Sequence, residues 1–247
     1  MVKDFLRMSC HEPTPEEIAE LFALDKDIAA LCGRLLSELK GRRDGAEVAS
    51  VVLANSRKSE GQGLLHALVQ QHMSVVLRAC ARHELADAWQ EQALELFAKH
   101  KAFVDRASLL AHALADRWFD AKRYSKAEAW ALRSIAEGER TGLDLPWLAD
   151  AWRIAAQALS DDNLGPEVEV RLRKSLTFWK RQRKPDPIRG MFAHMGLGMY
   201  LLEVGKLKEA DAAFVEAVVF AKLLPVDAQY LADAPVAQLM KLRGENT

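Results

Sequence analysis

Residues Ala193 to Ala221, AHMGLGMYLLEVGKLKEADAAFVEAVVFA, constrain this chain more than any other stretch. Leu197 and Leu201 precede Gly205, and Leu207 and Phe214 follow it, at spacings that suit two short helices joined by a turn. Gly198 and Ala210 are small residues placed where two such helices approach each other. The pattern predicts a helical hairpin with one buried seam. A single hairpin leaves its other faces in water, so the unit needs neighbours of its own kind, and an internal repeat is the first expectation.

The rest of the chain supplies helix after helix. Thr14, Pro15 and Glu17 form a start signal: a capping hydroxyl, a proline where no donor is missed, and a glutamate that closes a capping box. The helix that follows carries Ile18, Leu21, Leu24, Ile28, Leu31, Leu35 and Leu39 and is expected to reach about Lys40. Further helices are predicted over Ala46 to Arg57, Leu64 to Arg82, Ala86 to His100 and Ser108 to Ala121. Ser125 with Glu128 reads as a second capping box, for a helix ending near Thr141 and Gly142. Pro146 and Pro166 each open a helix, through about Ser160 and Arg183, and Asp186 with Pro187 caps the opening hairpin. Pro225 closes that hairpin, and Pro235 must kink or split a last helix over Asp227 to Leu242. No stretch alternates with period two, so the fold class is all-α.

The Gly198 to Phe214 pattern resembles a tetratricopeptide repeat. Leu197 and Gly198 match its Leu-Gly pair, Gly205 its turn, and Ala210, Phe214 and Ala217 its second helix, while His194 stands where the family has Trp. Trp152, Ala156, Leu159, Leu172 and Ser175 fit the same frame, as do Leu114, Ala115, Trp118, Tyr124, Ala127 and Ser134. Ala115, Ala156 and Gly198 lie 41 and 42 positions apart, longer than the usual ~34. This is similar to the long-period variants of kinesin light chains and of bacterial regulators of the Rap type. Val76 and Ala88 allow a weaker copy upstream, and residues 15–57 a degenerate one. The resemblance implies a right-handed superhelix, an α-solenoid of such hairpins. Residues 1–13 would be a tail, 14–105 degenerate hairpins, 106–225 the clearer repeats, and 226–247 a C-terminal capping helix and tail.

Chemistry-bearing patterns are sparse. Lys and Arg number 34 against 35 Asp and Glu, so bulk charge points to neither nucleic acid nor membrane. Cys10, Cys32 and Cys80 form no CxxC pair and read as reduced thiols of a cytoplasmic protein, and no apolar run approaches a membrane span. Cys80 and His83 share a helix face as predicted, but two ligands make no zinc site. Gly61, Gly63, Gly138 and Gly142 match no phosphate-binding pattern, and no nucleophile motif surrounds any Ser or Cys. The expectation is therefore a protein that is not an enzyme and holds no cofactor or metal. The segment around Ala19, Ala23 and Leu24 is one residue too short for a DNA-reading helix-turn-helix, and Asp25 and Asp27 would face phosphates.

In proteins similar to this one, the first helix of each repeat lines a concave groove. Carried onto these repeats, the groove positions are His112, Asp116 and Phe119, then Asp150, Arg153 and Gln157, then Met195, Met199 and Leu202. The first two sets mix charge and polarity as a recognition surface would. The third is apolar: it reads first as core covered by the C-terminal helix with Tyr230, Leu231, Val236, Leu239 and Leu242, and alternatively as a hydrophobic pocket whose methionines suit adaptable binding. A separate basic strip, Arg171, Arg173, Lys174, Lys180, Arg181, Arg183, Lys184 and Arg189, surrounds Phe178 and Trp179. It reads mainly as an outer face with Leu172, Leu176 and Trp179 turned inward, and alternatively as a grip for RNA or an acidic peptide. The resemblance implies a scaffold or adaptor for a partner protein segment. Its alternatives are a regulatory sensor of a small peptide and a nucleic-acid-binding factor.

Overall fold

The computed structural model describes residues 14–39, 63–160, 165–182 and 186–244. The expected tail at 1–13, the helix at Ala46 to Arg57, and Cys10, Gly61, Arg183 and Lys184 lie outside the described residues. Among those described, every regular element is a helix: α1 (Pro15–Leu39), α2 (Leu64–Ala79), α3 (His83–Phe97), α4 (Val104–Asp120), α5 (Tyr124–Thr141), α6 (Leu148–Ser160), α7 (Pro166–Arg181), α8 (Pro187–Glu203), α9 (Leu207–Ala221) and α10 (Asp233–Arg243). Short 3-10 turns at Lys101–Phe103 and Val226–Ala232 precede α4 and α10. Pro235 sits in the first turn of α10, where it costs no hydrogen bond, so the last helical segment is split rather than kinked.

One turn recurs between paired helices. Ala81, Lys122 and Gly205 take left-handed backbone conformations, with φ of 58, 56 and 80°. At each, the amide of that residue donates to the carbonyl three back, and the next amide donates five back: Arg82 to Leu77 at 2.9 Å, Arg123 to Trp118 at 2.8 Å, Lys206 to Leu201 at 2.8 Å. This double bond satisfies carbonyls that the helix end would otherwise orphan. Ala81 and Lys122 are 41 positions apart, and Lys122 and Gly205 83 apart, so the turns keep the period of the repeat. They also reset its upstream register. The small buried residues one period before Ala115 and Ala127 are Ser74 and Ala86, not Val76 and Ala88. A left-handed residue with a Cβ costs about 1–2 kcal/mol. Lys122→Gly and Ala81→Gly are therefore each expected to stabilise the protein by about 0.5–1 kcal/mol after the entropy of glycine is counted, read as a higher urea midpoint.

Cys80 closes α2 and His83 opens α3, so the turn separates them and they share no helix face. The same turn chemistry overrides the expected box at Ser125. With Lys122 left-handed, Arg123 becomes the cap residue and makes no side-chain cap bond, and Ser125 falls inside the first turn. Glu128 instead accepts from Arg171 of α7 at 2.6 Å. The box at Thr14 and the cap at Asp186, with no competing turn, form as read: Thr14 N donates to Glu17 Oε2 at 2.7 Å, and Ile188 N to Asp186 Oδ1 at 2.9 Å. Pro146 does not open α6, which begins at Leu148; its carbonyl accepts from Gln182 and Arg189.

The chain forms two compact units that divide between Ala111 and His112, inside α4. In the first, Cys32 of α1, Met73, Val76 and Leu77 of α2, and Ala86 and Trp89 of α3 share a core. Asp25 takes Arg106 Nη2 at 2.6 Å and lies 2.7 Å from His72 Nε2. Burial alone would raise its pKa; these bonds outweigh burial and lower it. α1 runs unbroken through Asp25 and Asp27, so the segment is no helix-turn-helix.

The second unit builds the clearer repeats. Ala115, Ala156 and Gly198 are all buried. At Gly198 a Cβ would lie 2.8 Å from the ring of Phe214. Ser134, Ser175 and Ala217 repeat on the partner helices, also buried. A close approach the sequence did not mark occurs at Gly190, where a Cβ would lie 2.5 Å from Trp179. Trp179 donates to Asp186 O at 3.0 Å and stands edge-on to Phe220, on which buried His194 stacks at 5.6 Å. Burial lowers the His194 pKa.

The C-terminal helix α10 packs chiefly on α9. Leu239 and Leu242 join the core around Phe214, and Arg243 holds Asp211 with two bonds, at 2.7 and 3.0 Å. Tyr230 is 75% exposed and Val236 39%. Leu231 joins Met195 on the core around Met191 and Ala217, but no residue of 226–244 lines the pocket at Met195 and Met199, and α10 lies on the other helix of the hairpin.

Candidate functional site

Within the second unit, α4, α6 and α8 are the first helices of successive hairpins, and their predicted groove positions come together in two adjoining groups. The polar group centres on Asp150. His112 Nε2 lies 2.9 Å from Asp150 Oδ2, and Arg153 Nε donates to Asp150 Oδ1 at 2.6 Å. Arg153 also donates to Gln157 and lays its guanidinium over Phe119, 5.8 Å from the ring centroid. Burial would raise the Asp150 pKa, but the bonds from His112 and Arg153 hold it well below the usual carboxylate range. Asp116 is the opposite case. Its partial desolvation and the nearby Asp150 charge raise its pKa, and no cation pairs with it among the described residues.

The apolar group surrounds an open pocket of about 280 Å³. Of the predicted groove residues, Phe119, Gln157, Met195 and Met199 line it. His112, Asp116, Asp150 and Arg153 belong to the polar group beside it. Leu202 packs against the core instead of lining the pocket. Lining residues that the sequence reading missed are Tyr124, Val168, Leu172, Phe192, Gly196, Tyr200 and Glu203. A signal for three of them was present: Phe192, Met195, Gly196, Met199 and Glu203 follow i, i+3, i+4, i+7 and i+11 and so share one face of α8. Tyr124 carried no such signal. It reaches the pocket because the Lys122 turn folds it back edge-on to Phe119, with centroids 5.6 Å apart.

The basic strip is largely occupied by its own neighbours. Arg171 holds Glu128 at 2.6 Å, Glu167 at 3.1 Å and the carbonyl of Ala155 at 2.9 Å, and so clamps α5, α6 and α7. Arg173 pairs with Glu169 and Glu209. Lys174 lies over the Trp152 ring and Arg181 over that of Phe178, while Lys180 is exposed. Leu172, Leu176 and Trp179 are buried. Among the described residues no three metal-ligating side chains cluster, and no helix is long and apolar enough to cross a membrane.

No family model matches the sequence, and no curated protein matches it. The fold is similar to that in the crystal structure of BtubC (BKLC) from P. vanneervenii, with a TM-score of 0.62 and 16% identity over 83% of this chain and 87% of that one. A structure from the functional characterization of Pseudomonas aeruginosa PilF is a weaker match, with a TM-score of 0.46 and 14% identity over 90% of this chain and 95% of that one. The first of these is a tetratricopeptide-like helical-repeat protein, and the fold described above is of that kind.

Proposed function

We propose that this protein is a non-enzymatic scaffold or adaptor that holds a segment of a partner protein in the groove of its second unit. The observation that carries the reading is the open pocket at Phe119, Gln157, Met195 and Met199. Helical-repeat folds of this kind generally serve protein interaction, and half-buried methionines adapt their shape to a guest at little cost. At about 280 Å³ the pocket falls just under the range of roughly 300–1,000 Å³ that holds drug-sized ligands, which favours a side chain of a bound segment over a cofactor. A nucleic-acid role for the basic strip is less favoured, since Arg171 and Arg173 already hold carboxylates.

Met199→Lys places a charge in the pocket from a side chain that is only half buried. Partners captured by the wild-type protein from its own cells, identified by mass spectrometry, are expected to be lost from this variant while its helical circular dichroism is kept. A partner retained by Met199→Lys at wild-type yield would sink the assignment to this groove.

A further inference from the structure

The charges around the groove do not balance. Glu203 lines it, Asp116 and Asp120 lie on α4 beside Phe119, and Asp150 adjoins them; the cations nearby are Lys122 and Arg123, which stand before Tyr124, and Arg153. Asp150 consumes Arg153 together with His112. Asp116 and Glu203 are left exposed, and neither makes an ion pair among the described residues. Glu203 lines the apolar pocket directly, and Asp116 lies one helical turn before Phe119 of the same pocket. The pocket itself is walled by the rings of Phe119, Tyr124 and Phe192 and by two thioethers. Aromatic faces are electron-rich, so they favour both an apolar side chain and an adjacent cation.

Resting on the groove reading above, we propose that the bound segment is basic and amphipathic: a bulky apolar side chain enters the Met195, Met199 and Phe119 pocket, and a neighbouring Lys or Arg is held by Glu203 and Asp116. Asp116 is the more telling of the two carboxylates. In the unbound protein, partial desolvation and the charges of Asp150 and Asp120 outweigh the attraction of His112 and Arg153. An incoming cation relieves that repulsion, and the relief adds to affinity. Asp116→Asn is accordingly expected to leave the fold at least as stable while weakening the complex. A residue with a merely structural role would move both in the same direction.

Random twelve-residue peptides displayed on phage and selected on the full-length protein test this. Selected peptides are remade synthetically and measured by fluorescence polarisation against the wild type, Met199→Lys, and the double variant Asp116→Asn with Glu203→Gln. The expected result is a consensus with Lys or Arg within two positions of a large apolar residue. Met199→Lys should abolish its binding, and the double variant should weaken it about tenfold, near 1.4 kcal/mol, with a smaller loss at high salt. Peptides that depend on Met199 but are neutral or acidic, and indifferent to the double variant, would overturn this inference and leave the groove reading standing. Peptides that ignore Met199→Lys altogether would overturn both.

Discussion

Phe214→Ala is expected to destabilise the second unit by about 3–5 kcal/mol, the usual cost of emptying a fully buried aromatic site. Phe214 has no solvent exposure and lies at the centre of the core that joins α7, α8, α9 and α10. Its neighbour sharpens the prediction. A Cβ at Gly198 would lie 2.8 Å from two atoms of the ring, so Gly198→Ala in the wild type forces the ring aside and should cost about 1–3 kcal/mol. Once Phe214 is alanine the obstruction is gone. Gly198→Ala should then stabilise, by up to the ~1 kcal/mol by which alanine exceeds glycine inside a helix. Urea denaturation of the four proteins in this cycle measures the reversal of sign. If Gly198→Ala destabilises equally in both backgrounds, the ring is not what requires a glycine there.

Asp150→Asn should cost about 2–4 kcal/mol, because it leaves Arg153 and His112 facing an amide inside the groove wall. The side chains of His112, Asp150 and Arg153 are 12, 15 and 16% exposed, so water substitutes poorly for the lost carboxylate. The same pair sets an acid dependence. The folded protein holds the Asp150 carboxyl below the usual range, whereas the unfolded chain takes up its proton near pH ~3.9. Protons then bind the unfolded state preferentially, so this stabilisation is complete above that pH and is lost as the pH falls below it. Wild-type stability should decline more steeply than that of Asp150→Asn between about pH 5 and 2. Parallel curves in guanidinium titrations across that range would show that Asp150 is not the group responsible. Asp116 acts with the opposite sign. Its raised pKa gives the folded state the extra affinity for a proton, and so offsets part of the loss.

The site was legible in the sequence only in part, and the particular residues say why. Met195 and Met199 could be placed on one helix face by spacing, and Phe119 and Gln157 by carrying the repeat frame from one hairpin to the next. Such periodicity states which residues share a face. It does not state what stands opposite. The bond between His112 and Asp150 joins positions 38 apart, and its existence depends on how α4 and α6 are set against each other. The basic strip reads as a cluster along the chain for the same reason it is not one in space. Glu128 and Glu209, which hold Arg171 and Arg173, lie 43 and 36 positions away.

What the sequence determined by itself is local. The all-α class, the caps at Thr14 and Asp186, the proline start of α7 and the left-handed turn at Gly205 all rest on interactions within about one helical turn, and the residues involved are neighbours in the chain. Tertiary structure decided the remainder: that Gly190 admits Trp179, that α10 settles on α9, and that the groove over Met199 stays open. Each of these is a choice between partners far apart in sequence. It is settled by which surfaces fit once the helices exist, a comparison of packing energies that no single stretch of residues contains.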